Sequence, residues 1–402
     1  MVSEHMVKLG MNRNIMREIF EHGKRRAKVV GAGNVLDFSL GNPSVPPPAK
    51  VNDTIRAVLD GPLHDSVHAY TSAPGDQGCR DAIAASLTHR FGVFCTGDEL
   101  YLTVGAAAAL CCCLFGLHTP GDEFIVIVPY FTEYRVFIES AGAKAVEVPA
   151  APGTFDLDLA AIEAAIGPNT KGILINSPNN PAGVVYPAAT IRGLADLLRR
   201  KSSEFGNPIY LISDEPYREV VYDGVEVPWL PAYYENTLVC YSYSKCLSLP
   251  GERIGYVLVP QSVEDWARVY AAVAGAGRGI GYINAPSLFQ HVAAACDGLT
   301  ADLSVYETNR NRLYRGLTEM GYTCVKPDGT FYLIFQAPDL DSMAFSKRAM
   351  KYDLLVAPTD TFGCPGYLRV AFCVDTGRVE KALPVFRRLA QEYGLCLSLI
   401  HI

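Results

Sequence analysis

The sequence predicts an α/β protein, with a mainly parallel sheet flanked by helices and a smaller α+β domain after it. Two observations support this fold class. Short apolar runs alternate with amphipathic stretches through the middle of the chain, and the pattern changes in the last third. The length of 402 residues also exceeds what one small core can organise, which favours two domains or one large α/β unit.

The candidate strands of the sheet are nearly continuous apolar runs, as expected for strands buried on both faces. They are residues 124–128, 172–175, 209–212, 238–241 and 256–259. Amphipathic stretches between them predict helices at residues 77–91, 105–117, 157–166 and 187–204.

The last third of the chain mixes helical and strand patterns. It predicts helices near residues 304–320 and 378–392, and strands at 330–335 and 367–372. We therefore divide the chain into an N-terminal arm that joins the small domain, a large domain and a C-terminal small domain, at residues 1–48, 49–295 and 296–402.

Composition excludes several classes of function. A net charge of −7 argues against a nucleic-acid-binding face, and the apolar run at 106–117 is shorter than the ~20 residues of a membrane span. The twelve cysteines include no Cys-x-x-Cys pair, so the sequence predicts no metal site. The first residues lack the apolar core of a signal peptide, which together with the cysteine pattern predicts a cytoplasmic protein.

Three polar clusters follow three consecutive predicted strands. They are residues 176–183, 213–217 and 242–245. Because ligands bind beyond the carboxyl ends of parallel strands, these clusters predict one site.

Lys245 lies in the run 241–255, Tyr-Ser-Tyr-Ser-Lys-Cys-Leu-Ser-Leu-Pro-Gly-Glu-Arg-Ile-Gly. A lysine amine can form a Schiff base with an aldehyde cofactor, while the Ser242 hydroxyl and the Arg253 guanidinium can bind a phosphate. Most lysines are solvated surface charges, so the interpretation depends on the other clusters. Together they predict a site for pyridoxal 5′-phosphate (PLP).

Four further side chains fit that cofactor, although three of them also have a simpler explanation. Asp214 could keep a pyridine nitrogen protonated, or could cap a turn. Tyr217 could reach the phenolic oxygen of the cofactor, as could Asn180, which alone would be a turn residue. Phe131 could stack on the ring or belong to the core.

Three other features stay ambiguous from the residues alone: the turn 103–109, the segment that contains Tyr70, and Arg369. The turn 103–109, Thr-Val-Gly-Ala-Ala-Ala-Ala, could bind a phosphate at a helix N-terminus or simply start a helix, and Tyr70 lies in a turn-rich segment. Arg369 lies in a predicted strand and needs a partner, either a substrate carboxylate or an internal salt bridge. Residues 275–281 lack dinucleotide-binding spacing and predict a flexible glycine loop that contains Arg278.

With these residues in order, the chain resembles the fold-type I PLP-dependent aminotransferases of class I and II, the aspartate aminotransferase superfamily. The resemblance extends from residues 39–43 to Arg369 and beyond. It rests on four motifs in order: Asn-Pro-x-Gly, Asp-x-x-Tyr, Ser-x-x-Lys and Gly-x-Arg-x-Gly. It implies a seven-stranded sheet and a homodimer with active sites at the interface.

The resemblance also implies residue roles. Lys245 would form the Schiff base and transfer the proton, and Asp214 would pair with the ring nitrogen. Tyr217 and Asn180 would bind the phenolic oxygen, and Phe131 would stack on the ring. The phosphate would be held by Gly105, Ala106, Ala107, Ser242, Arg253 and the partner subunit's Tyr70. The substrate would be bound by Gly41, Asn180 and Arg369.

The implied reaction is a ping-pong transfer of an amino group between an L-amino acid and a 2-oxo acid. A carbon–sulfur β-lyase or an aminocyclopropane-carboxylate synthase-like enzyme would share these motifs. A PLP-binding regulator is disfavoured, because only ~40 residues precede Gly41, too few for a DNA-binding domain and a linker.

Two features of the sequence depart from the family. Ala106, Ala107 and Ala108 lack hydroxyl groups, and Phe131 stands where Tyr or Trp is common. Acidic, aliphatic and aromatic donors stay open.

Overall fold

A computed structural model describes residues 2–11 and 15–395. In chain order the strands are β1 Leu36–Asp37, β2 Leu100–Thr103, β3 Glu123–Val128, β4 Lys144–Pro149, β5 Thr170–Asn176, β6 Tyr210–Asp214, β7 Thr237–Ser242, β8 Gly255–Leu258, β9 Cys324–Val325, β10 Tyr332–Gln336, β11 Leu354–Leu355, β12 Ala357–Pro358 and β13 Tyr367–Ala371.

The helices, again in chain order, are α1 Glu4–Met11, α2 Ile15–Val30, α3 Ala49–Asp60, α4 Gln77–Phe91, α5 Ala106–Leu117, α6 Glu133–Ala141, α7 Leu159–Ala165, α8 Ala188–Phe205, α9 Trp266–Gly279, α10 Ser287–Cys296, α11 Ser304–Glu319, α12 Ser342–Met350 and α13 Thr376–Glu392. Among the described residues, no helix is long and apolar enough to cross a bilayer.

The large sheet has seven strands in the order β2-β8-β7-β6-β5-β3-β4. From β7 to β4 every neighbouring pair is parallel, whereas β8 runs antiparallel to both β7 and β2. The predicted mainly parallel α/β sheet is therefore confirmed. The sequence analysis did not identify β4, an edge strand whose residues are mostly half-buried or exposed.

Alternate residues of the central strands enter two different cores. Phe124 and Val126 of β3 pack with α5, α6 and α9, whereas Ile125 and Ile127 pack on the opposite face with α7 and α8. Strands buried on both faces need apolar side chains at nearly every position. This explains why β3, β5, β6 and β7 were readable as apolar runs.

The predicted glycine loop at residues 275–281 is wrong, because Gly275, Gly277 and Gly279 belong to the last turns of α9. Tight packing explains the glycine at the buried position. A Cβ on Gly277 would overlap the Tyr101 hydroxyl and lie 2.8 Å from a carbon of its ring. Glycine here serves close helix–sheet packing and not loop flexibility, a distinction that spacing alone does not reveal.

This packing predicts opposite effects at two glycines of one helix. Gly277→Ala should lower the free energy of unfolding by about 1–3 kcal/mol, because the added methyl group overpacks the contact with Tyr101. Gly275→Ala is the matched control, since a Cβ there meets nothing within 4 Å, and it should stabilise by about 0.5–1 kcal/mol. Urea denaturation measures both. Equal effects would contradict the packing argument.

The C-terminal part forms a second, antiparallel sheet in the order β12-β13-β10-β9, with α11 and α13 packed in the same core. The N-terminal segment joins this part, because β1 pairs in parallel with β11 and Leu36 lies opposite Leu354. This pairing supports the predicted arm, while the domain boundaries at 48/49 and 295/296 stay a prediction.

Candidate active site

The carboxyl ends of β5, β6 and β7 lie side by side, since these three strands are consecutive parallel neighbours. A cavity of ≈ 380 Å³ opens beyond them. It is lined by eleven of the residues singled out from the sequence: Gly41, Ala106, Ala107, Phe131, Asn180, Asp214, Tyr217, Ser242, Lys245, Arg253 and Arg369. The structure therefore brings together segments that are more than 300 residues apart.

Lys245 extends into this cavity from the turn after β7. Its Nζ donates a hydrogen bond to the carbonyl oxygen of Gly41 at 3.0 Å, and it lies 5.5 Å from the centre of the Phe331 ring. Among residues 2–11 and 15–395, no carboxylate forms an ion pair with it. The amine thus lies in the cavity without a counter-ion from the described chain and near two guanidinium groups, which favours its neutral, nucleophilic form.

Asp214 ends β6 and is buried, with 5% of its surface exposed. Its Oδ2 accepts a hydrogen bond from the Tyr134 hydroxyl, and the Asn176 side-chain amide donates to the Asp214 carbonyl oxygen at 2.8 Å. Its Oδ1 is buried and has no hydrogen-bond partner among the described residues. Burial raises the pKa of Asp214 to about 7, the Tyr134 hydrogen bond opposes that shift, and the charge of Glu215 adds to it. An unsatisfied carboxylate oxygen in a cavity needs a donor from a ligand.

A second group of hydrogen-bond donors also lines the cavity. Helix α5 begins at Ala106, and Gly105 caps it with φ +90°, a conformation that favours glycine. A Cβ on Gly105 would lie 2.6 Å from a guanidinium nitrogen of Arg253. Arg253 Nη1 donates to the Ser244 hydroxyl at 3.3 Å, and the Ser242 and Ser244 hydroxyls are 2.8 Å apart. Free backbone N–H groups, hydroxyls and a guanidinium together suit a phosphate.

Arg369 of β13 is buried, with only 5% of its surface exposed. Its Nη1 donates to Asn180 Oδ1 at 3.0 Å, its Nη2 donates to the Ser39 carbonyl at 2.7 Å, and its Nε has no partner. The Tyr332 and Phe362 rings enclose the guanidinium, with centroids 4.3 and 4.9 Å away. No carboxylate in the described parts of the chain pairs with it, so the buried guanidinium keeps a charge that is not balanced by an anion.

Two of the predicted site residues, Tyr70 and Gly105, are not among the residues that line this cavity. Tyr70 is 97% exposed and lies on the surface beside Ile283. Arg278 is exposed in the last turn of α9 and does not line the cavity either. Gly105 contributes through its contact with Arg253 and through the start of α5.

The structure adds residues that the sequence analysis did not select. Tyr134 and Asn176 contact Asp214, and Ser244 contacts both Ser242 and Arg253. The Tyr217 hydroxyl donates a hydrogen bond to the Tyr332 hydroxyl at 3.1 Å. Ser244 was recoverable from sequence, since it directly precedes Lys245. Tyr134 and Tyr332 carry no local signal, because their partners lie 80 and 115 residues away.

Comparison with known proteins agrees with this geometry. The model of the family "Aminotransferase class I and II" matches residues 33–386. The chain is an aminotransferase of class I and II. The aspartate/prephenate aminotransferase of Thermus thermophilus is 28% identical to it over 360 residues, which cover 89% of this chain and 91% of that protein.

Two further comparisons extend the likeness. The valine–pyruvate aminotransferase of Mycobacterium tuberculosis is 30% identical to this aminotransferase over 368 residues, covering 87% of this chain and 90% of that protein. A crystal structure of an aminotransferase from Eubacterium rectale superimposes with a TM-score of 0.95 at 52% identity, covering 98% and 99% of the two chains. Since these relatives are aminotransferases, the β-lyase and regulator interpretations are not favoured.

This aminotransferase is a PLP-dependent enzyme, and the residues present fit that cofactor. The unpartnered Asp214 Oδ1 suits a protonated ring nitrogen. The space beside Gly105 that a Cβ would fill, with Arg253 and the two serine hydroxyls, suits the phosphate. Lys245 lies in the same cavity, where the aldehyde would have to reach it.

The buried lysine predicts how PLP attachment depends on pH. Burial lowers the pKa of Lys245 from 10.5 to about 8, helped by Arg369 and Arg253 and opposed by Cys373. Only the neutral amine attacks an aldehyde, so the attachment rate should rise about tenfold per pH unit below that pKa and level off above it. Stopped-flow absorbance of PLP mixed with cofactor-free protein measures this. A rate still rising up to the ordinary lysine pKa of 10.5 would contradict the assignment.

Proposed function

We propose that this aminotransferase transfers an amino group from an L-α-amino acid to a 2-oxo acid in two successive half-reactions at the cavity around Lys245. One observation carries the proposal. A nucleophilic amine, an unpartnered carboxylate oxygen of Asp214 and the buried, anion-free guanidinium of Arg369 share one cavity. These three groups match the reacting carbon, the cofactor ring and the substrate carboxylate.

Substrate binding begins at Arg369. Its guanidinium would bind the α-carboxylate. Asn180 accepts from Nη1 at 3.0 Å and the Ser39 carbonyl accepts from Nη2 at 2.7 Å, while Nε has no partner in the described chain. The Tyr332 and Phe362 rings exclude water and strengthen this ion pair. Gly41 lies alongside, and its lack of a side chain leaves room for the Tyr332 hydroxyl that a Cβ would overlap.

Lys245 would move the proton. Its amine would take the proton from the substrate α-carbon and hold it for return, which requires a base whose pKa lies near the working pH. When bound, PLP supplies an electron sink for the electron pair that this removal leaves on the carbon. Asp214 would hold the ring nitrogen protonated, which that electron sink requires.

The remaining residues would orient the cofactor. The Tyr217 hydroxyl and Asn180 side chain would bind its phenolic oxygen, and Phe131 would pack on the ring. The start of α5 with Gly105, Ala106 and Ala107 would hold the phosphate together with Ser242 and Arg253. Because the alanines offer no hydroxyls, their contribution is through backbone N–H groups.

We also propose a homodimer in which the partner subunit's Tyr70 reaches the phosphate. The 97% exposure of this aromatic side chain in one protomer supports a partner surface there. Sedimentation of the PLP-loaded protein tests this, and a monomer at working concentration would contradict it.

A cytoplasmic location is a further proposal, supported by free thiols at all eleven described cysteines.

A half-reaction tests the proposed function. PLP-loaded protein is mixed with one amino acid and no oxo acid, and the cofactor absorbance is followed. Conversion to the amine form by a subset of amino acids supports the proposal, and adding a 2-oxo acid should reverse it. Release of pyruvate and ammonia, or of a thiol, with unchanged cofactor absorbance would instead indicate a lyase.

The panel of amino acids should cover three side-chain classes. One relative is named for aspartate and prephenate and another for valine, so acidic and aliphatic donors belong in it, and aromatic donors complete it. The side-chain class whose amino acids convert the cofactor fastest is then assigned as the donor class.

A further inference from the structure

The two oxygens of the Asp214 carboxylate have different environments. Oδ2 accepts the Tyr134 hydroxyl and lies 3.5 Å from the Asn176 side-chain amide, whereas Oδ1 is buried without a partner in the described chain. Asn176 also donates to the Asp214 main-chain carbonyl at 2.8 Å. The carboxylate is thus held from one side and free on the other.

Tyr134 is well placed to fix this arrangement. It lies in the first turn of α6, and only 1% of its surface is exposed. Its ring packs against Phe131 edge-on at 5.7 Å and parallel to Tyr130 at 6.1 Å. Because core packing already fixes the Tyr134 ring, its hydroxyl can donate to one carboxylate oxygen with little further loss of side-chain entropy.

We propose that Tyr134 is a positioning residue which, assisted by Asn176, keeps the Asp214 carboxylate ionised and turns Oδ1 toward the ring nitrogen of PLP. This inference rests on the role proposed for Asp214. A hydrogen bond to the charged form of an acid favours that form, and burial opposes it. In agreement, burial raises the pKa of Asp214 while the Tyr134 hydroxyl lowers it.

The consequence concerns where one proton sits. The ring nitrogen and Asp214 compete for it, and a stabilised carboxylate leaves it on the nitrogen. Without the Tyr134 hydroxyl the carboxylate binds protons more strongly, so the shared proton moves toward Asp214. The ring then loses positive charge, and PLP loses part of its ion pair with the protein.

The test uses Tyr134→Phe, which removes the hydroxyl and keeps the ring. The matched control is Tyr234→Phe, because Tyr234 is equally buried but donates to the Ile209 carbonyl at 2.7 Å, outside the site. The first measurement is the ¹⁵N chemical shift of PLP labelled at the ring nitrogen and bound to the whole protein. The second is the PLP dissociation constant of the cofactor-free protein.

We expect Tyr134→Phe to move the ¹⁵N shift toward that of the unprotonated ring. It should also raise the PLP dissociation constant about tenfold, the loss of one hydrogen bond to a charged group. Tyr234→Phe should change neither. An unchanged ¹⁵N shift in Tyr134→Phe, or an equal change in both variants, would overturn the inference while leaving the proposed function intact. Failure of the proposed function would appear separately, as unreactive wild-type protein in the half-reaction.

Discussion

Replacing Lys245 with alanine should abolish amino-group transfer while the protein still folds and holds PLP. The amine is the nucleophile in the cavity and the base beside the substrate carbon, so its loss removes covalent and acid–base catalysis together. We expect kcat to fall by about 10⁴-fold or more. PLP should still bind without a covalent link, because the groups near its phosphate are unchanged.

Turnover is measured with the donor found in the half-reaction, and PLP retention by absorbance after dialysis. Lys144→Ala is the control, since Lys144 is exposed and pairs with Glu123 at 2.8 Å far from the cavity lining. It should keep wild-type kcat. Normal turnover by Lys245→Ala would refute the assignment of the reactive lysine.

Asp214→Asn should lower kcat by about 10³-fold, the second-largest effect we expect. Asparagine keeps the shape of the side chain but cannot balance a positive ring nitrogen, so the electron sink fails. The exposed Asp196, which pairs with Arg199 at 3.3 Å, offers the control Asp196→Asn with unchanged kcat. Full activity in Asp214→Asn would exclude the proposed pairing.

Stability should not explain that loss of activity. Burial raises the pKa of Asp214 from 3.8 to about 7 in the folded, cofactor-free protein, so folding favours the protonated acid. The stability that this acid contributes is present at low pH and is lost as the pH rises through about 7. Above that pH, cofactor-free Asp214→Asn should melt at the same temperature as the wild type or higher, which differential scanning calorimetry measures.

Much of the site was readable from sequence because its chemistry is concentrated in short segments. Lys245, Ser242 and Arg253 lie within twelve residues, and Asp214 and Tyr217 lie within four. Each segment follows a strand whose double-sided burial makes it apolar and therefore visible. Parallel neighbours then bring the segments to one edge of the sheet.

The errors and omissions share a physical cause. Glycines at 275, 277 and 279 suggested a loop, yet the close approach of Tyr101 makes Gly277 part of a packed helix. From the sequence, Arg369 could pair with a substrate carboxylate or form an internal salt bridge. Only the folded structure showed that the described chain provides no carboxylate for it. Tyr134 gave no signal, because hydrogen bonding to Asp214 depends on where α6 packs.

The sequence by itself determined the α/β class and the polar segments that follow three consecutive strands of a mainly parallel sheet. It also identified the residue types able to carry PLP chemistry. These follow from local periodicity and from side-chain types at fixed spacing. Only the tertiary structure decided that Oδ1 of Asp214 has no partner in the described chain and that Arg369 has no carboxylate partner there. It also decided that burial lowers the pKa of Lys245 to about 8. Such properties depend on burial and on partners distant in sequence, and they exist only once the chain has packed.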